Sequence, residues 1–199
     1  RLVNLSVRSF AEETASESVA PGGGSVAAAV GALGASLGTM VANLSAHKRG
    51  WDERWEEFSK WADAGQQIKE ELLRLVDADT RAFERVMTAL GMPKGTDAEK
   101  SARSAALAAA NLGALQVPWQ VMQTAYQSFD LIRAMAEHGN PASASDAGVG
   151  ALCARAAVRG AWLNVRTNAS GIKDKSAIAN VMADGVKLAS HFKGDQPAH

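Results

Sequence analysis

Hydrophobic positions along the chain recur at three- and four-residue spacing, and no sustained alternation of apolar and polar residues appears. That periodicity predicts an all-α protein, an orthogonal or antiparallel bundle of about six helices. A first helix is expected from Ser6 to Ala15, with Ser6 as N-cap and Val7, Phe10 and Ala11 as its apolar stripe. Pro21-Gly22-Gly23-Gly24-Ser25 reads as a loop, with Ser25 capping an apolar helix that follows. From Asp52 to Leu90 the stripe Trp55, Phe58, Trp61, Ile68, Leu72, Leu75, Val76, Phe83, Val86 and Leu90 predicts one long amphipathic helix or two stacked ones, with a break at Gly65. Thr96 with Glu99 gives a capping signal for a helix reaching Glu137 and bent at Pro118. Gly139-Asn140-Pro141 stops it, a helix from Ser143 or Ser145 to Ser170 follows, and a last one runs from Lys175 to His191. The chain 1–199 reads as a single domain with a frayed tail over 193–199.

Val26 to Leu44 carries no charge over nineteen residues, close to a bilayer-spanning length. Its Ala, Gly, Ser and Thr content makes it weakly hydrophobic and no second such segment occurs, so a helix buried on all sides of a soluble bundle is expected instead of a membrane span. Gly31, Gly34 and Gly38 within it form a side-chain-free groove for close helix approach. Each mid-helix glycine costs about 1 kcal/mol relative to alanine, so packing at that groove must outweigh the loss.

Charge and cysteine content narrow the functions. The 21 basic and 21 acidic residues cancel, which argues against a sequence-independent nucleic-acid binder, since such proteins need a basic surplus to displace counterions. Cys153 is the lone cysteine, so no intrachain disulfide framework exists and a reducing, cytoplasmic setting is expected. No secretory signal opens the chain, and its start at Arg1 is compatible with a domain excised from a longer polypeptide. His47, His138, His191 and His199 are scattered without ligand spacing, so no metal site is expected.

The carboxylates carry more information. Asp79 falls on the stripe of Leu72, Leu75, Val76 and Phe83, which turns it toward the core while Asp77 faces outward. A carboxylate there is either bonded to a neighbouring helix end or a general acid/base whose pKa desolvation has raised. Asp146 sits at a helix start, where N-capping explains it. Asn164 and Asn168 lie one turn apart on an Ala-rich helix and need a partner helix or a ligand. The glycine loop offers outward backbone N–H groups to an anion, although it lacks the Lys-Ser/Thr ending of a P-loop.

Five stretches in register, Ala20 to Ala28, Val76 to Phe83, Leu90 to Lys94, Gly139-Asn140-Pro141 with Ser145 to Val149, and Leu163 to Asn168, resemble the formiminotransferase-cyclodeaminase C-terminal family. That family holds the formiminotetrahydrofolate cyclodeaminase domain of histidine degradation and stand-alone methenyltetrahydrofolate cyclohydrolases. Its members are all-helical homodimers with the folate site near the subunit interface. Ser45 to Trp51 looks more like the cyclodeaminase domains, although His47 and Gly50 depart from the glycine and third basic residue of the hydrolases.

The resemblance implies a lyase that converts 5-formiminotetrahydrofolate to 5,10-methenyltetrahydrofolate plus ammonia. The cyclohydrolase is the alternative, and a non-catalytic helical oligomerisation domain is the alternative of another class. Asp79 aligns with the family's proposed catalytic aspartate. Gly22, Gly23, Gly24 and Ser25 would suit a polar part of the folate, Lys48, Arg49 and Lys94 its glutamate carboxylates, and Asn43, Asn140, Asp146 and Asn164 the pterin edge or Asp79. Neither cofactor nor metal is required by that chemistry. The expected partners are the folate, with or without a polyglutamate tail, one or more further copies of the chain in a homodimer or higher homo-oligomer, and a fused formiminotransferase domain.

Overall fold

A computed structural model describes residues 1–192, and the tail expected to fray over 193–199 lies outside them. Six α-helices, and no strand among the described residues, build the chain: α1 (Val7–Thr14), α2 (Gly23–Ala46), α3 (Trp55–Leu90), α4 (Asp97–His138), α5 (Ala144–Ser170) and α6 (Ala179–Ser190). Ser6 caps α1 by accepting from the Ser9 amide at 3.1 Å. Thr96 and Glu99 form the reciprocal capping box of α4. α3 runs unbroken through Gly65, because that glycine is a packing position where a Cβ would collide with the Thr39 hydroxyl and Leu131.

α2 is the axis of the bundle, packed against α3, α4 and α5. Its glycines admit helices of the same chain. A Cβ on Gly34 would lie 2.9 Å from the Gly150 carbonyl oxygen and 3.0 Å from the Ala154 amide nitrogen, so α5 crosses α2 backbone to backbone. Neither partner atom can rotate away. Gly34→Ala is therefore expected to lower unfolding free energy by about 2 kcal/mol despite the gain in helix propensity. Gly148→Ala, on α5 where nothing lies within 4 Å, should raise it instead. Urea denaturation of both variants checks the pair of signs.

By length and composition α2 could cross a membrane, yet most of it is buried among the other helices. It is not buried on every side. Neighbouring helices cover three flanks, and Leu33 (62% exposed), Met40 (37%) and Leu44 (46%) remain open on the fourth.

Candidate active site

Asp79 and Asp77 sit roughly 200° apart around α3, so one helix presents its two carboxylates to different neighbours. Asp77 does not face outward as its spacing predicts. It is buried, and its Oδ1 accepts the Leu2 amide at 2.7 Å, because the N-terminal segment folds over that flank of α3. Asp79 points to the start of α2. That helix begins at Gly23 with Gly22 as N-cap and no side-chain cap, so Ser25 is its third residue and not its cap. The Ser25 hydroxyl is 2.9 Å from Asp79 Oδ2 and 3.2 Å from the Val76 carbonyl oxygen. The anion expected at this helix N-terminus is thus supplied by the protein itself.

Burial pushes the Asp79 carboxyl above the usual aspartate range, against the opposing pull of the Ser25 hydroxyl and backbone amide. The glycines let the carboxylate come this close. A Cβ on Gly24 would fall 2.7 Å from Asp79 Cγ, and one on Gly23 would touch the Asn164 amide at 3.5 Å. Close approach is their whole contribution, since positive φ occurs only at Gly50 among the described glycines.

Asp79 lines a cleft of about 370 Å³. One wall is Val19, Ala20 and Gly22 together with Gly23 and Gly24, the first two residues of α2. α3 adds Thr80, Ala82, Phe83 and Val86, α4 adds Asn111 and Ala114, and α5 adds Asn164 and Asn168. Asp79 is the only titratable side chain in this lining. Pro118 explains how α4 and α5 are tied here. Lacking an N–H, it leaves the carbonyl four residues back without its helical donor, and Asn168 Nδ2 donates to that Ala114 oxygen at 2.7 Å. Asn164 Nδ2 donates to its own helix at the Gly160 carbonyl, 2.9 Å away.

Thr80 is the exception to this satisfaction. Its Oγ1 is buried without a partner, while the Ser25 hydroxyl lies 3.2 Å from the carbonyl one turn back, that of Val76, to which a helical threonine would ordinarily donate. Thr80→Val, which keeps the shape and removes the unpaired group, is expected to stabilise the protein by about 1 kcal/mol. A lower midpoint in urea would show that the hydroxyl is paired in solution.

The remaining residues picked out from sequence divide by location. Gly22, Gly23, Gly24, Ser25, Asp79 and Asn164 come together as expected. Asn43, Lys48, Arg49, Asn140 and Asp146 do not join them, because α2 carries its C-terminal end about 36 Å from its first turn. At that far end Lys48 Nζ sits 3.9 Å from the Trp51 ring centroid, which is itself stacked on Phe58. The Asn140 amide donates to Ser45 Oγ at 2.8 Å, and its side chain accepts from the Ala142 amide. Asp146 lies inside the first turn of α5, whose N-cap is Ser143. Lys94 is exposed on the turn between α3 and α4. Sequence reasoning missed Thr80 and Asn111. Asn111 had a usable signal as a lone amide in the alanine run of α4.

No group of three or more His, Cys, Asp or Glu that could hold a metal occurs among the described residues. Fold and site together define an all-helical protein with one partly desolvated carboxylate held at a helix N-terminus beneath an amide-lined cleft. The chain belongs to the formiminotransferase-cyclodeaminase family, whose profile matches residues 6–185. It is 38% identical over 173 residues to the methenyltetrahydrofolate cyclohydrolase of Methylorubrum extorquens, covering 87% of this chain and 83% of that one. It is 36% identical to the formimidoyltransferase-cyclodeaminase of Rattus norvegicus over 87% of its own length but only 32% of that protein's. The crystal structure of formiminotetrahydrofolate cyclodeaminase from Thermotoga maritima superposes with a TM-score of 0.84 at 28% identity, covering 98% of this chain and 93% of that one.

Proposed function

We propose that the protein is a formiminotetrahydrofolate cyclodeaminase, closing 5-formiminotetrahydrofolate to 5,10-methenyltetrahydrofolate with release of ammonia. The observation that carries this reading is the lone, partly buried Asp79 carboxylate in a cleft with no other titratable lining group. The reaction needs N10 to attack the carbon of the protonated formimino group on N5, giving a tetrahedral centre that carries an amino group and collapses with loss of ammonia. Asp79 as carboxylate takes the N10 proton and then hands it to the departing nitrogen, so a single group serves both transfers. Desolvation makes it a stronger base than an exposed aspartate. As Asp79 becomes protonated, the Ser25 hydroxyl can turn from its Oδ2 to the Val76 carbonyl, keeping a partner in both states. Because both reacting atoms belong to one molecule, holding them in an attack geometry supplies much of the rate.

The Methylorubrum relative favours a second reading. In a cyclohydrolase the same carboxylate would take a proton from water attacking the methenyl carbon and hand it to N5 as the C–N5 bond breaks, the hydroxyl proton leaving to solvent, to give 10-formyltetrahydrofolate. Absorbance at the methenyl band separates the two. With the 5-formimino substrate, a rise accompanied by equal release of ammonia is expected. Enzyme-dependent decay of the methenyl compound, with no rise from the formimino one, would make the protein a cyclohydrolase. Inactivity on both would support a non-catalytic assembly domain.

Three accompanying readings belong to this proposal. The protein acts as a homodimer in the cytoplasm, and the open apolar positions Leu33, Met40 and Leu44 of α2 suit a second copy. It uses no cofactor beyond the folate substrate. It serves histidine degradation beside a formiminotransferase domain, as the arrangement in the longer relatives suggests.

A further inference from the structure

We propose that the groove continuing the Asp79 cleft along α4 seats the aminobenzoyl-glutamate tail of the substrate, with Lys173 meeting the glutamate carboxylates. This rests on the folate reading above. The groove, about 490 Å³, lies between the first half of α4 and the segment just after α5, and Leu107, Ala108, Leu112 and Ile172 give it apolar walls. Asn111 lines both this groove and the cleft, so the two spaces adjoin.

Their order along the fold is fixed by the antiparallel pairing of α4 and α5. Asn168 bonds to Ala114 in the cleft, and moving outward from that tie the chain passes Asn111 and Leu107 on one side, and Gly171 and Lys173 on the other. From Asn111 to Ser104 the groove extends about 10 Å along α4. The chemistry changes along the same line. Amides and Asp79 sit where the hydrogen-bonding pterin would lie, and apolar walls follow where a benzoyl ring would lie. A cation closes the sequence. Lys173 is exposed at the rim and forms no ion pair with a described residue. Its neighbour Asp174, also exposed and on the groove lining, is engaged locally, accepting from the Ser176 hydroxyl at 2.6 Å and the Ser176 amide at 3.0 Å. Of the basic residues expected from sequence to hold the tail, Lys48 and Arg49 are at the opposite end of α2, and Lys94, on the turn between α3 and α4, does not line the groove.

The test compares the 5-formimino derivatives of tetrahydrofolate and of tetrahydropteroate, which lacks the glutamate. Lys173→Glu is expected to raise KM for the folate about five- to tenfold with kcat unchanged, and to leave KM for the pteroate compound alone. Ala108→Trp, an exposed α4 position filling the groove, should raise KM for both. Equal effects of Lys173→Glu on the two compounds would overturn the inference, as would no effect of Ala108→Trp on either. Wild-type protein inactive on both the formimino and methenyl folates would instead overturn the folate reading, and this inference with it.

Discussion

Asp79→Asn is expected to reduce kcat by about a thousandfold while the protein stays as stable as the wild type or becomes more so. On the proposed cyclodeaminase mechanism the loss follows because asparagine can neither take the N10 proton nor deliver one to the amine. The stability follows from what the site does to a charge. Burial raises the folded-state pKa of Asp79 above its unfolded value, so the folded state binds the proton more tightly. Stability attributable to this group is highest below the unfolded pKa, falls as pH rises through the folded one, and stays low at neutral pH. Asparagine removes that penalty and can still accept from the Ser25 hydroxyl at the start of α2. Steady-state rates together with urea midpoints at pH 5 and pH 8 check both halves, and the stability gain over the wild type should be larger at pH 8. A variant that lost activity by unfolding would refute the separation of catalysis from fold.

Gly24→Ala is expected to impair activity and stability together. The added methyl would overlap the Asp79 carboxyl, at 2.7 Å from Cγ and 2.8 Å from Oδ2, and the helix backbone beneath it cannot retreat from the bundle axis. Asp79 must swing away, breaking its bond to Ser25. About a hundredfold loss in kcat/KM is the expected result of misplacing the catalytic group, with about 2 kcal/mol lost from overpacking. The same substitution in the double variant with Asp79→Ala should cost far less stability, because the clash partner is gone. Equal losses in both backgrounds would place the effect elsewhere.

Much of this arrangement was legible in the sequence, and the reasons differ by element. The helices followed from three- and four-residue spacing, and the capping box at Thr96 with Glu99 marked where α4 begins. Asp79 was legible because a carboxylate on an apolar stripe requires a partner. Asp77 misled because periodicity on one helix says nothing of a segment folding back from residue 2. Ser25 was taken for a cap because serine before an apolar run usually is one, whereas the glycines allow the helix to begin earlier and leave Asp79 to act at its N-terminus. The polar residues at the far end of α2 were grouped with the site on residue type alone. Only the length of that helix separates them. Pro118 and Asn168 were each noticed from sequence, but their pairing through the Ala114 carbonyl depends on how α5 lies against α4.

On the proposed mechanism the raised carboxyl of Asp79 is the base whose ionisation controls the reaction. The most direct measurement follows its carboxyl carbon by NMR in aspartate-labelled free enzyme, assigned by loss of the signal in Asp79→Asn, alongside the pH dependence of kcat/KM. The two titrations should coincide at a pKa above the ordinary aspartate range, with activity rising as the carboxyl ionises. An Asp79 signal titrating at or below the ordinary value, with the activity rising at some other pH, would show that another group is the base.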